Sequence, residues 1–135
     1  MPFTWYYAEQ VVTTPAGTPS SAPQLTVVPL QDSWVNRIKL RWPEGHNGQT
    51  GIYVLKSGAP IIPFGAPASF IVANNDDEWY TVDDEIQDGL VVVTYNTGMY
   101  PHGHYLRIEY VPITQWLAGG VEVANLSVAE GLSSD

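Results

Sequence analysis

The sequence contains no cysteine, and only five of its 135 residues are lysine or arginine. The first absence excludes disulfide bonds, thiolate nucleophiles and thiolate metal sites, and it fits folding in a reducing cytoplasm. The second leaves a formal net charge of −9, because 14 residues are aspartate or glutamate. Such a charge repels phosphate backbones and anionic lipid surfaces, so we expect neither nucleic acid nor a membrane as a partner.

Long apolar runs and helical periodicity are also lacking. No stretch approaches the roughly 20 apolar residues that span a bilayer, and the first residues lack the basic start and apolar run of a signal peptide. Leu, Ala, Glu and Lys are sparse where β-branched and aromatic residues are dense. We therefore expect at most one helical turn, at 114–117.

What the sequence does contain is a set of short segments with strand character. Hydrophobic residues make up 44% of the chain, which suits a single domain with its own core. Residues 34–42 and 105–111 alternate apolar and charged side chains, the pattern of half-buried strands. Residues 90–95 are apolar at both odd and even positions, so both faces of this strand are expected to be covered. This favours a position in the middle of a sheet. Six or seven strands separated by turns predict an all-β protein, either an antiparallel β-sandwich or a jelly roll.

The two ends are expected to differ from the middle. We predict an extended N-terminal arm at 1–28, a β-sandwich domain at 29–113 and a C-terminal extension at 114–135. Residues 13–23 are rich in Thr, Pro, Ala, Gly and Ser, a composition that cannot build a core. The arm also carries aromatic residues that are costly to leave in water and are expected to contact a partner, namely Phe3, Trp5, Tyr6 and Tyr7. The alternative is that the arms fold back on their own domain.

Charged residues form two clusters. Arg37, Lys39 and Arg41, here termed the basic stripe, alternate along one predicted strand, while seven of the 14 acids lie between residues 76 and 88. Complementary patches fix register between subunits, so the stripe is predicted to meet Asp83 and Asp84 of a neighbouring copy.

Calcium is the alternative for the acidic cluster. Carboxylate and amide oxygens suit this ion, although the cluster lacks the spacing of a known calcium loop. The side chains that could supply such ligands are Asn75, Asp76, Asp77, Asp83, Asp84 and Asp88. A solvated acidic rim is the interpretation that we favour over a calcium site.

Histidines offer the other candidate ion site. His102 and His104 are two residues apart, so on a strand they share one face and can ligate a transition metal, with three copies at an axis completing six ligands. The alternative is that both are ordinary polar loop residues, and no cofactor is expected. His46 adds little to this site.

Signatures of catalysis are absent from the sequence. No nucleophile elbow and no phosphate-binding loop occurs, so we expect no enzyme. A small hydrolase that uses two carboxylates of the acidic cluster, to be tested at Asp83 and Asp84, is the weakest alternative.

Several turns and strands together resemble the small structural proteins encoded by tailed bacteriophages. The resemblance covers about half of the chain and rests on turn motifs. Its segments are Trp42-Pro43-Glu44-Gly45-His46-Asn47-Gly48, Gly51-Ile52-Tyr53-Val54, Ile61-Ile62-Pro63, Phe70-Ile71-Val72, Tyr95-Asn96-Thr97-Gly98-Met99-Tyr100-Pro101-His102 and Tyr105-Leu106-Arg107. It implies a virion β-sandwich module on the capsid, neck or tail, and it carries over no functional residues.

The expected function is therefore that of a structural component of a virus particle. The protein is expected to be made in the host cytoplasm, to oligomerise as a trimer or ring, and to bind other virion proteins through its arms. The alternative is a carbohydrate-binding or host-recognition module, in which exposed aromatic rings stack on sugars. The candidate rings are Trp79, Tyr80, Tyr100 and Tyr105.

Overall fold

The computed structural model describes residues 4–124, with side chains as far as residue 118. Within this part of the chain there are eight strands and one helix. They are β1 (Tyr6–Thr14), β2 (Gln24–Val28), β3 (Ser33–Trp42), β4 (Thr50–Lys56), β5 (Ala59–Ile62), β6 (Asp76–Ile86), β7 (Leu90–Asn96), β8 (His102–Pro112) and α1 (Ile113–Ala124).

The strands form two four-stranded sheets whose order identifies the topology. Sheet A has the order β1-β8-β3-β6 and sheet B the order β2-β7-β4-β5, and all neighbouring strands are antiparallel. The first strand pairs with the last, the second with the seventh, the third with the sixth and the fourth with the fifth. This is the arrangement of a long hairpin rolled into two layers, which is a jelly roll. The prediction of an all-β sandwich or jelly roll is confirmed.

The core lies between the two sheets and is built from alternate residues of each strand. In β3, Ile38, Leu40 and Trp42 are buried, while the basic stripe occupies the outer face. Strand β7 lies between β2 and β4, as its apolar character on both parities predicts. Its inward residues Leu90 and Val92 belong to the same core cluster.

The connections leave the sandwich at two different ends. At the end formed by the loops after β1, β3, β5 and β7, the backbone amides of Gly45 and Asn47 each donate to Asn74 Oδ1 at 3.0 Å. Thr18 and Asn96 form a bridge at the same end. The shorter connections after β2, β4 and β6 lie at the opposite end, together with α1. We term these the loop end and the turn end.

The predicted N-terminal arm is corrected by the structure. Tyr6–Thr14 pairs with β8 along nine residues, and Gln24–Val28 pairs with β7 along five. The Thr14 hydroxyl donates to Thr94 Oγ1 at 2.7 Å in the interior, so β1 contributes to the core. The polar composition that suggested an arm belongs to the connecting loop, 15–23.

The predicted C-terminal extension begins with a helix longer than the single turn expected. Trp116 of α1 stacks on Trp34 of β3 with the ring centroids 4.4 Å apart. The backbone amide of Ile113 donates to the carbonyl of Asp32 at 2.9 Å, which fixes the start of the helix. Tertiary contacts of this kind stabilise helices whose own propensity is weak. The remainder of the extension, 125–135, lies outside the described residues.

Two neighbouring valines of β1 test whether this strand is an integral part of the domain. Val12 is 2% exposed and Val11 is 47% exposed. Val12→Asp places a carboxylate in the core, so it should lower the free energy of unfolding by about 3 kcal/mol or more. Val11→Asp should change it by less than about 1 kcal/mol. Urea denaturation followed by tryptophan fluorescence measures both, and equal, small effects would mean that β1 is a detachable arm.

Candidate interaction surfaces

The N-terminal aromatic residues contact their own domain. The Tyr6 ring meets the Tyr110 ring edge-on at 5.8 Å, and its hydroxyl donates to Gln115 Oε1 at 3.3 Å. The Arg107 guanidinium lies over the Tyr7 ring, 4.5 Å from its centroid. Trp5 is half-buried and also has interactions of its own, whereas Phe3 lies outside the described residues. The structure therefore agrees with the alternative in which this segment folds back.

Glu109 joins three strands beneath these rings. It is buried in β8 and accepts hydrogen bonds from Tyr7 Oη at 2.6 Å, Asn36 Nδ2 at 2.6 Å and Arg37 Nε at 2.9 Å. Burial alone raises the pKa of Glu109, but the three donors outweigh it and hold the pKa below its ordinary value. A carboxylate so fully satisfied has a structural role, which is to fix β1 and β3 on either side of β8.

The basic stripe is partnered within its own chain. Because β3 pairs with β6, Asp77 accepts ion pairs from Lys39 at 3.4 Å and from Arg41 at 3.6 Å. The Arg37 guanidinium stacks over the Trp79 ring at 3.9 Å from its centroid. The acids nearest the stripe are thus its own, and the contact with Asp83 and Asp84 of a neighbouring copy stays a prediction.

An open groove of about 330 Å³ lies across β1, β8 and β3 on the outer face of sheet A. We term it the basic groove. Arg107 and Lys39 are directly opposite each other in the register of β8 and β3, and Tyr105 is opposite Arg41. Glu9 lies opposite Arg107 in β1, with 3.6 Å between the charged atoms. The complete lining is Glu9, Gln10, Val11, Lys39, Arg41, Tyr105, Leu106 and Arg107.

The acidic residues of β6 separate into two places. Asp77 faces the basic stripe, whereas Asp83 and Asp84 lie towards the turn end. Asp84 accepts a hydrogen bond from Lys56 Nζ at 2.7 Å, which is the main reason that its pKa is lowered. Among residues 4–118, no group of three or more His, Asp or Glu side chains is arranged to hold a metal ion. The calcium alternative therefore gains no support.

The three histidines come together at the loop end. The rings of His102 and His104 each lie 4.8 Å, centroid to centroid, from the ring of His46. His46 Nε2 donates to the carbonyl of Gly103 at 3.0 Å, and its Nδ1 lies 2.5 Å from Thr50 Oγ1. His104 is fully buried, so no neighbouring copy can reach it, and the predicted metal site at His102 and His104 is corrected. His46, judged unimportant in the sequence, is the ring that links the other two.

Among residues 4–118, His104 has the largest shift of its pKa from the ordinary value. Both of its ring nitrogens, and the indole nitrogen of Trp42, are buried without a hydrogen-bond partner. Burial, with smaller contributions from His46 and His102, lowers the pKa of His104 to about 3. The pKa of His46 is also lowered, mainly by burial. His104 is therefore neutral at physiological pH, and charging it disfavours the folded state.

The four rings proposed for glycan stacking are not gathered on one surface. Trp79 is on the outer face of sheet A beneath Arg37, whereas the adjacent Tyr80 packs against the core. Tyr100 is exposed in the loop before β8, and Tyr105 lines the basic groove. One sugar ring cannot contact all four, so the structure does not support them as a single binding site.

The outer face of sheet B is apolar, which the sequence analysis missed. Leu25 and Val27 of β2 are both 65% exposed, and they lie opposite Val93 and Val91 of β7. The Phe70 ring covers the adjoining part of the face, 4.7 Å from the Tyr53 ring and 4.8 Å from the Tyr95 ring. No outward residue of β2, β4 or β7 is charged. The outward residues of these strands are Leu25, Val27, Gly51, Tyr53, Leu55, Val91, Val93 and Tyr95. The sequence signal for this face was the run 90–95, in which the residues between the core residues are also apolar.

The buried histidine predicts an acid-sensitive fold. Between pH 6.5 and about 3 the unfolded chain binds a proton at His104 that the folded chain does not, so stability falls as the pH falls through this window. The full loss is about 5 kcal/mol. His104→Leu should remove this part of the slope, because leucine binds no proton in either state. The apolar side chain also fits the site without an unpartnered polar atom.

The measurement is the free energy of unfolding in urea at several pH values. Carboxylates also contribute to acid unfolding, so the informative quantity is the difference between His104→Leu and the wild type. His102→Gln, which leaves the buried ring in place, should keep most of the wild-type slope. An unchanged slope in His104→Leu would contradict the assignment.

In residues 4–124, no helix has the length and apolar character that a bilayer crossing requires. No protein-family model and no curated protein matches the chain. Solved structures with a similar fold include a Bacillus endospore appendage from a family of disulfide-linked pili, at 13% identity and a TM-score of 0.42, covering 81% of this chain and 89% of that one. A cyanophage Pam1 capsid unit has 10% identity and a TM-score of 0.45, and the match covers 80% of this chain and 85% of that one. PirA has 16% identity and a TM-score of 0.40, and the match covers 76% of this chain and 93% of that one. Similarities of this size carry no conclusion about family or function.

Proposed function

We propose that the chain is a structural module of a virus particle of the tailed-bacteriophage type, on the capsid, neck or tail. It associates with copies of itself and with other virion proteins after synthesis in the host cytoplasm, and it catalyses no reaction. The observation that carries the proposal is the uncharged, apolar outer face of sheet B. The choice of a phage particle is based on the resemblance of the turn motifs to small phage structural proteins.

The apolar face has a reason to be covered. Leu25 and Val27 expose most of their side chains on a face without a charged group. Burying each of them contributes about 1 to 2 kcal/mol, in proportion to the apolar area removed from water. Contiguous apolar surface on a soluble protein is typical of an interaction site.

A second copy of the chain is the occupant that we propose for this face. At a net charge of −9, two copies repel each other over most of their surfaces, and this repulsion is weakest where charged side chains are absent. An apolar patch is also complementary to itself, as a two-fold contact requires.

The size of the face suits an assembly better than an isolated dimer. Phe70 covers part of the face, so the exposed patch is about two strands wide, with strands about 4.8 Å apart and about 20 Å long, or roughly 200 Å². Stable complexes bury about 800 Å² on each partner, so one such contact is weak. Weak contacts become stable when each copy makes several of them at once, as it does in a particle.

Charges placed on the apolar face should abolish this association. In the double variant Leu25→Glu and Val27→Glu, two carboxylates on each copy would be buried against each other at the contact. We expect the wild type to associate with rising concentration in sedimentation velocity and the double variant to need a clearly higher concentration for the same degree of association.

Met99→Glu is the matched control, because Met99 is 84% exposed and lies at the loop end, away from this face. It should associate as the wild type does. Thermal unfolding of all three proteins shows whether the substitutions leave the fold intact, as exposed positions predict. A wild type that stays monomeric at every concentration, or a double variant that associates equally, would refute the dimer contact.

A further inference from the structure

Positive charge is concentrated on one surface of this acidic protein. Four of its five basic residues lie on the outer face of sheet A, together with the four carboxylates of Glu9, Asp77, Glu85 and Glu109. That face therefore has no net charge, while the rest of the sequence holds one basic residue and ten acids. The four basic residues are Arg37, Lys39, Arg41 and Arg107.

Folding alone does not account for the arrangement inside the basic groove. Lys39 and Arg107 lie directly opposite each other on adjacent strands, and like charges in that position destabilise a sheet. Their ion pairs with Asp77 and Glu9 are 3.4 and 3.6 Å long and accessible to water, so these pairs compensate little. The cations keep most of their capacity to bind an incoming anion.

The other end of the same molecule carries the complementary charge. Five carboxylates surround the turn end, and one cation is near them, Lys56, which pairs with Asp84. The backbone amide of Asp88 lies 3.4 Å from Asp32 Oδ1, so the β2–β3 and β6–β7 connections are adjacent. We term this set the acidic turn cluster, and it consists of Asp32, Asp83, Asp84, Glu85 and Asp88.

The shapes of the two surfaces are also complementary. The β6–β7 connection is a tight turn in which Asp88 and Gly89 have φ values of 64° and 78°, and its tip at Gln87 and Asp88 is exposed. A protruding turn fits an open groove. Within one chain the two surfaces cannot meet, because Asp84 pairs with Val35, about 13 to 20 Å along β3 from the groove residues of that strand.

We propose that the acidic turn cluster of one copy binds in the basic groove of the next copy. The contact is head-to-tail, so each copy uses a different surface towards each neighbour, and repetition gives a ring or a filament. The inference rests on the proposed self-association and adds a second contact to the one on sheet B. Arg41 and Asp88 are the residues chosen to test it, since both are exposed and outside the core.

Reversing either charge should weaken the head-to-tail contact. We expect Arg41→Glu and Asp88→Lys each to raise the dissociation constant by about tenfold or more, as the loss of one close charge pair does. Wild-type association should also weaken with added salt, because exposed charges are screened. Both measurements are made in the Leu25→Glu and Val27→Glu background, where the sheet B contact is removed, so failure of one contact is distinguishable from failure of the other.

Mixing the two variants gives the decisive result. Copies carrying Asp88→Lys retain the original groove, and copies carrying Arg41→Glu retain the original acidic turn cluster. An equal mixture should therefore associate at least tenfold more tightly than either variant alone. Glu44→Lys is the control for Asp88→Lys, because it makes the same change in net charge at an exposed position of the loop end.

Three results would overturn the proposal. The first is association of the single variants as tight as that of their parent. The second is a mixture that associates no better than its components. The third is binding of a soluble acidic saccharide, an oligogalacturonate, that depends on Arg41 in a protein whose copies do not associate, which would assign the groove to a carboxylate ligand. Thermal unfolding of each variant confirms that a lost contact is not a lost fold.

Discussion

The position of β8 between β1 and β3 sets most of what sheet A presents to its surroundings. Its register with β1 runs from Tyr110 to His102, and its register with β3 places Lys39 opposite Arg107. A shift of one residue on either side would exchange the buried and exposed faces of a strand. The hydrogen bonds that Glu109 accepts from both neighbouring strands fix that register with a buried, charged group.

Parts of the fold that depend on local alternation could be predicted from the sequence. The parity of β3, with its basic residues outward, and the central position of β7 are examples. Strand β1 could not be recognised, because its nine-residue partner lies about a hundred positions away and the loop that follows it is rich in Pro, Ser and Thr. Helix α1 was underestimated for a related reason, since the stacking of Trp116 on Trp34 is a tertiary contact.

The candidate surfaces show the same division. The charges of the stripe and of the acidic cluster are visible in the sequence, but which of them meet depends on the pairing of β3 with β6. The histidine cluster needed a loop residue, His46, that sequence spacing cannot connect to His102 and His104. The apolar face of sheet B corresponds in the sequence to residues 90–95, which do not alternate between apolar and polar. Such a run predicts that both faces of the strand are covered, but it does not indicate what covers the outer face.

The pairing of the first strand with the last also determines how the domain would bear a mechanical load. Tyr6 lies opposite Tyr110, and α1 starts three residues later, so the start of β1 and the end of β8 lie side by side. Tension between them would act along the hydrogen bonds of β1 and β8, which would open one pair at a time from the turn end. A module tethered at both ends would thus yield gradually by unzipping, while one held by its sheet faces would keep all nine pairs under even load.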